Sequence, residues 1–181
     1  MSLFVRSVPA RQAGLSLRDA RLYVFAAVFT AGNLLAPVAV HSIPRGGLIF
    51  LPIFFFTLVA ATRFGFAAGA LTGLASPLVN YALTGMPPSA ELFTVLAQSV
   101  LLAAIAAGLA ARTGRLSMWS LLAAAVAMQL AGFAIDLARG GSVDAGLDVL
   151  RIGIPGVAIM VVGGYAVLRL MDRFEIGRTA R

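Results

Sequence analysis

The chain has no cysteine, no lysine and one histidine, and only 12% of its 181 residues are charged. Without cysteine there is no disulfide, no thiolate nucleophile and no cysteine metal site. Without lysine there is no Walker A motif, no Schiff base and no amine nucleophile. His41 stands alone in a loop, which argues against a transition-metal centre. The scarcity of charge, with 60% apolar residues and a mean hydropathy of +0.96, excludes an ordinary soluble domain.

What is present is a set of apolar runs of about 16 to 23 residues, and about 20 helical residues cross the roughly 30 Å hydrocarbon layer. A β-barrel would alternate polar and apolar positions instead. The runs predict an all-α integral membrane protein, a bundle of six transmembrane helices at 22–40, 47–62, 66–83, 89–111, 117–138 and 148–170. The domain reading is a tail over 1–20, with a short interfacial helix at 15–20, a transmembrane domain over 21–171 and a second tail over 172–181. The longest loop, 139–147, leaves no room for a soluble domain.

All fourteen basic residues are arginine, and they are unevenly distributed. Eleven fall in the tails and in the loops after spans two and four, against Arg45, Arg139 and Arg151 on the other side. By the positive-inside rule both termini are cytoplasmic, in a bacterial plasma (inner) membrane. The net charge of +7 is therefore a topology signal, and no nucleic acid is expected as a partner. Membrane lipid is.

Polar residues inside spans are costly and normally face a cavity or a partner. Glu91, Thr94 and Gln98 share one face of span four, and Gln129, Gly132 and Asp136 share one face of span five at the same spacing. Arg151 lies one turn before Pro155 on span six, and Asn80 and Asn33 lie on spans three and one. These positions predict an outward-facing pocket between spans four, five and six, roofed by residues 41–46 with Arg45. The inner halves of those spans are apolar, so nothing continues the pocket inward as a channel would require. Each residue also has a plainer reading: Glu91 and Asp136 at interfacial water, Asp136–Arg139 and Asp148–Arg151 as surface i, i+3 pairs, Gln98 and Gln129 as bonds to neighbouring helices.

Gly65, Gly69, Gly73 and Pro77 recur every fourth residue, the small-xxx-small ridge that lets helices approach closely in lipid. Ser76-Pro77 is read as a bend, and Gly85-Met86-Pro87-Pro88 as a tight loop. A second smooth face, Ala27 and Ala31, lies on span one. These faces suit a helical partner or packing against one another.

The run Leu51-Pro52-Ile53-Phe54-Phe55-Phe56, the turn Arg63-Phe64-Gly65 and the stretch GALTGLASPLVNYALTGMP together resemble the substrate-binding S component of energy-coupling factor (ECF) transporters. The similarity covers spans two to four, with Ser76-Pro77, Asn80 and Gly85-Met86-Pro87 carrying it. The resemblance implies a subunit that captures a vitamin or similar micronutrient at the outer face. A transmembrane coupling subunit and two cytoplasmic ATPases would drive delivery. It also implies docking on that coupling subunit through an alanine-x-x-x-alanine face, matched by Ala27 and Ala31, and substrate binding by helices four to six with the first outer loop. The chain carries no signature of the riboflavin, thiamine, biotin, folate or cobalt/nickel subgroups. No cofactor is expected. The alternatives are a small polytopic scaffold or assembly subunit without a small-molecule ligand, and an intramembrane enzyme using Glu91 and Asp136. The latter lacks a positioned nucleophile, so the chain is not expected to be an enzyme.

Overall fold

The computed structural model of the chain describes residues 14–40, 46–174 and 176. They form helices α1 (Ala20–Val40), α2 (Gly46–Phe50), α3 (Pro52–Phe64), α4 (Phe66–Thr84), α5 (Ser89–Thr113), α6 (Met118–Ala138), α7 (Val143–Ile152) and α8 (Ile154–Arg173), with no strand among the described residues. Five stretches are long and apolar enough to cross a membrane: Gly46–Phe64, Phe66–Thr84, Ser89–Thr113, Met118–Ala138 and Val143–Arg173. Helix α1, 21 residues long, is apolar as well. A multi-pass membrane protein follows.

Two of the five stretches are interrupted where the sequence reading had continuous spans. Leu51 takes the left-handed conformation (φ 50, ψ 40) between α2 and α3. Pro52 explains the break, because its ring disfavours the right-handed helical region for the residue before it. A buried leucine at positive φ is a costly placement that its surroundings must enforce. The last stretch begins at Val143 rather than Asp148 and turns at Gly153, with Pro155 in the first turn of α8, where its missing N–H matters least. The loop read as 139–147 thereby shrinks to 139–142. The two interruptions face each other: a Cβ on Gly156 would lie 2.7 Å from the Ile49 carbonyl oxygen and 2.8 Å from the Phe50 carbonyl carbon. By contrast, α4 runs through Pro77 as one helix.

The stretch 15–20 is not an interfacial helix. Asp19 N–H donates to the Ser16 carbonyl at 2.9 Å, closing a turn, and α1 starts at Ala20. Leu15 N–H donates to the Phe64 carbonyl at 2.9 Å. Gly65, at φ +87, has Gly14 Cα only 2.8 Å from where its Cβ would sit, so glycine is required there on both counts. At the same corner Arg63 forms an ion pair with Asp172 of α8 and donates through Nε and Nη2 to the Ile176 carbonyl at 3.1 and 2.7 Å. The start and the end of the described chain therefore converge on the α3–α4 turn.

The glycine ridge of α4 is an internal seam rather than a face for another protein. A Cβ at Gly69 would stand 2.5 Å from Ala61 Cβ and 2.9 Å from Ala103 Cβ, and one at Gly73 2.9 Å from Ser99 Cβ and 3.0 Å from Thr57 Cγ2. Helices α3, α4 and α5 thus meet at backbone distance around buried Leu58, Ala61, Ala68 and Ala103. Asn33, fully buried, ties α1 to this unit: its Nδ2 donates to Thr57 Oγ1 (3.2 Å) and Ser76 Oγ (3.0 Å), and its Oδ1 accepts from Phe56 N–H (2.9 Å). Ser76 in turn donates to the Thr72 carbonyl at 2.6 Å. The opposite face of α1, with Tyr23, Val24, Ala27, Val28, Ala31 and Leu35, is exposed.

Candidate functional site: a carboxylate-lined cleft between α5, α6 and α7

The cleft lies at the end of the bundle remote from the Arg63 corner, where α5 begins, α6 ends and α7 packs on α6. Ser142 caps α7, its Oγ accepting from Ala145 N–H at 3.2 Å. Glycine sets how closely α7 approaches α6. A Cβ on Gly146 would be 2.4 Å from the Phe133 ring, and one on Gly141 2.8 Å from the Asp136 carbonyl oxygen. The resulting cavity, about 320 Å³, is lined by Glu91, Asp136, Arg139, Gly141, Ser142, Ala145, Gly146 and Val149. That is the lower end of the range of small-molecule sites.

Its polar geometry turns on Thr94, which is buried beneath the cleft. Arg139 donates through Nη1 to Thr94 Oγ1 at 2.9 Å and through Nη2 to the Ala90 carbonyl at 2.6 Å. Thr94 Oγ1 donates to Asp136 Oδ1 at 3.3 Å. Asp136 and Arg139 are thus joined through a hydroxyl, not paired directly as the i, i+3 reading has it. The arginine is held against α5, while the Glu91 carboxylate stands exposed at the rim with no partner among the described residues.

The remaining candidates separate. Gln98, buried, donates to the Met128 carbonyl at 3.3 Å and fills the space over Gly132, where a Cβ would be 2.1 Å from its Nε2. It joins α5 to α6 below the cleft. Gln129 is buried against Gly153, its Nε2 lying 2.4 Å from where a Cβ would stand and having no hydrogen-bond partner among the described residues. Asn80 donates to the Met86 carbonyl at 2.8 Å and closes the α4–α5 turn outside the cleft. Arg151 is exposed and does not line the cavity. Arg45 and His41 lie outside the described residues. Ala27 and Ala31 are on the exposed face of α1, away from the cleft.

No family model, no curated protein and no solved structure matches the chain. The cleft therefore has to be read on its own chemistry. Three of the residues predicted to bind substrate, Glu91, Thr94 and Asp136, come together there, and Gln98 lies a turn beneath. Sequence reading undervalued Arg139 and missed Ser142 and the glycine-lined wall of α7. Two signals were available: the Asp136-x-x-Arg139 spacing, and a serine two residues before an acid (Ser142, Asp144), which marks a helix start.

Proposed function

We propose that the chain is the substrate-capture subunit of an ECF-type importer, taking a vitamin-sized micronutrient at the outer membrane face and releasing it through a partner coupling module. The observation that carries this reading is the cleft, a concave site of small-molecule volume with convergent polar groups at one end of an otherwise apolar bundle. Arginine asymmetry supports placing that end outside and both termini of the six-span chain in the cytoplasm, and the proposed membrane is a bacterial inner membrane. The chain supplies no nucleotide-binding motif, so energy comes from two ATPases and a transmembrane coupling subunit. The exposed Ala27–Ala31 face of α1 suits that subunit, because small residues on a lipid-facing helix permit close helix approach.

One observation favours the scaffold reading: Gln98 and Gln129 are packed between helices rather than lining the cleft. Substituting the small face separates the two. Ala27→Trp or Ala31→Trp is expected to abolish uptake in cells while the purified variant still binds its compound. A scaffold would lose a partner protein in pull-downs and show no small-molecule binding in either form. Native mass spectrometry of the wild-type protein, followed by a panel of water-soluble vitamins, provides the binding readout; absence of any bound compound refutes the capture role.

A further inference from the structure

We infer that the cleft selects a compound carrying a protonated amine or other organic cation, and not a carboxylate; this rests on the cleft being the capture site. The assignment follows from which charged groups are already engaged. Arg139 is the one basic side chain lining the cavity among the described residues, and two of its five N–H donors are spent on Thr94 Oγ1 and the Ala90 carbonyl. Thr94 spends its own proton on Asp136 Oδ1 and is buried. The Ser142 hydroxyl oxygen accepts from Ala145 N–H as the cap of α7. What remains for a cationic ligand is a pair of acceptors: the Glu91 carboxylate, which has no partner among the described residues, and the second oxygen of Asp136.

Charge gives the same sign. Among the described residues, two carboxylates and one guanidinium line the cavity, a net of one negative charge by formal count of those side chains. The rest of the lining is Gly141, Ser142, Ala145, Gly146 and Val149, which carry no charge to offset it. Two carboxylates against one guanidinium favour a cation, which restores the charge balance. An anionic ligand would meet two carboxylates and only those N–H groups of Arg139 that Thr94 and the Ala90 carbonyl leave free. The α7 wall admits a flat or narrow apolar body next to the cationic group, since Gly141, Ala145 and Gly146 project almost no side chain into it.

The test uses the full-length protein in detergent with two probe sets, thiamine, pyridoxamine and agmatine as cations, and nicotinate, pantothenate and biotin as anions. Thermal unfolding and calorimetric titration supply the readout. At least one cation is expected to raise the melting temperature and bind, and its affinity should fall at least tenfold in Glu91→Gln and in Asp136→Asn. Glu91→Gln keeps shape at an exposed position, so a folding defect does not obscure the result. Binding confined to the anions, lost in Arg139→Gln, would overturn the cation assignment and leave the capture site standing. Cation binding that is unchanged in both carboxylate variants would also overturn it. No binding of either set, with no compound carried through purification, would remove the capture site and the inference together.

Discussion

Asn33 is the clearest case of a residue whose worth depends on its neighbours. A polar side chain with no exposure, bonded to three partners on two other helices, substitutes for backbone and side-chain satisfaction that lipid cannot supply. Single hydrogen bonds between membrane helices average well under 1 kcal/mol, but an unsatisfied buried group costs about 1–3 kcal/mol. Asn33→Leu strands the Thr57 acceptor and the Phe56 N–H together. We expect a loss of about 2 kcal/mol, read as a lower melting temperature in detergent, while Asn80→Leu, at an exposed turn, changes it little. Gly69 provides the steric counterpart. With Ala61 and Ala103 already closer than a Cβ permits, Gly69→Val should destabilise by about 3 kcal/mol or more through overpacking. Gly108, which has open space around it, should accept the same change with near-native unfolding.

At the scale of elements, the α3–α4 corner fastens both ends of the described chain. Arg63 and Asp172 are 8% and 17% exposed at the side chain, so removing one partner leaves a poorly solvated charge behind. Arg63→Ala is expected to cost about 3 kcal/mol, less than a fully enclosed pair because the corner borders water. Hydrogen exchange should show the last turns of α8 opening first. Arg63→Lys keeps the charge but loses the fork that holds Asp172 and the Ile176 carbonyl together, so partial protection is the expected result. Equal protection in all three proteins would mean that packing alone fixes the corner. The helix interruptions tell a related story. Proline at 52 and at 155 is visible in sequence, yet Pro77, equally visible, leaves α4 whole. Proline marks where a helix is able to break, and neighbouring packing selects where it does: α2 and α8 meet at their breaks, whereas Pro77 is buried in the α4 seam.

For the whole molecule, helix boundaries were largely legible because a span is a one-dimensional property: enough consecutive apolar residues to cover the hydrocarbon layer, ended by arginine, glycine or proline. The Arg63-Phe64-Gly65 reversal was legible too, since only a glycine allows φ +87 there. The carboxylates Glu91 and Asp136 could be picked out as polar groups in apolar surroundings, and they do share a cleft. Their partner Thr94 was named for its spacing, but its place between Asp136 and Arg139 was not. What the chain order alone determined is therefore the helical membrane class, the approximate ends of the spans and the list of polar residues that lipid would not tolerate unaided. Only the tertiary structure decided that the glycine ridge is spent inside the bundle, that Gln98 joins α5 to α6 while Gln129 is packed against Gly153, that Arg139 is drawn onto α5 and that α7 closes a cleft over two carboxylates. Local pattern encodes how much of a helix avoids water. Which face meets which depends on contacts between residues tens of positions apart, and those are settled by shape and hydrogen-bond satisfaction across helices.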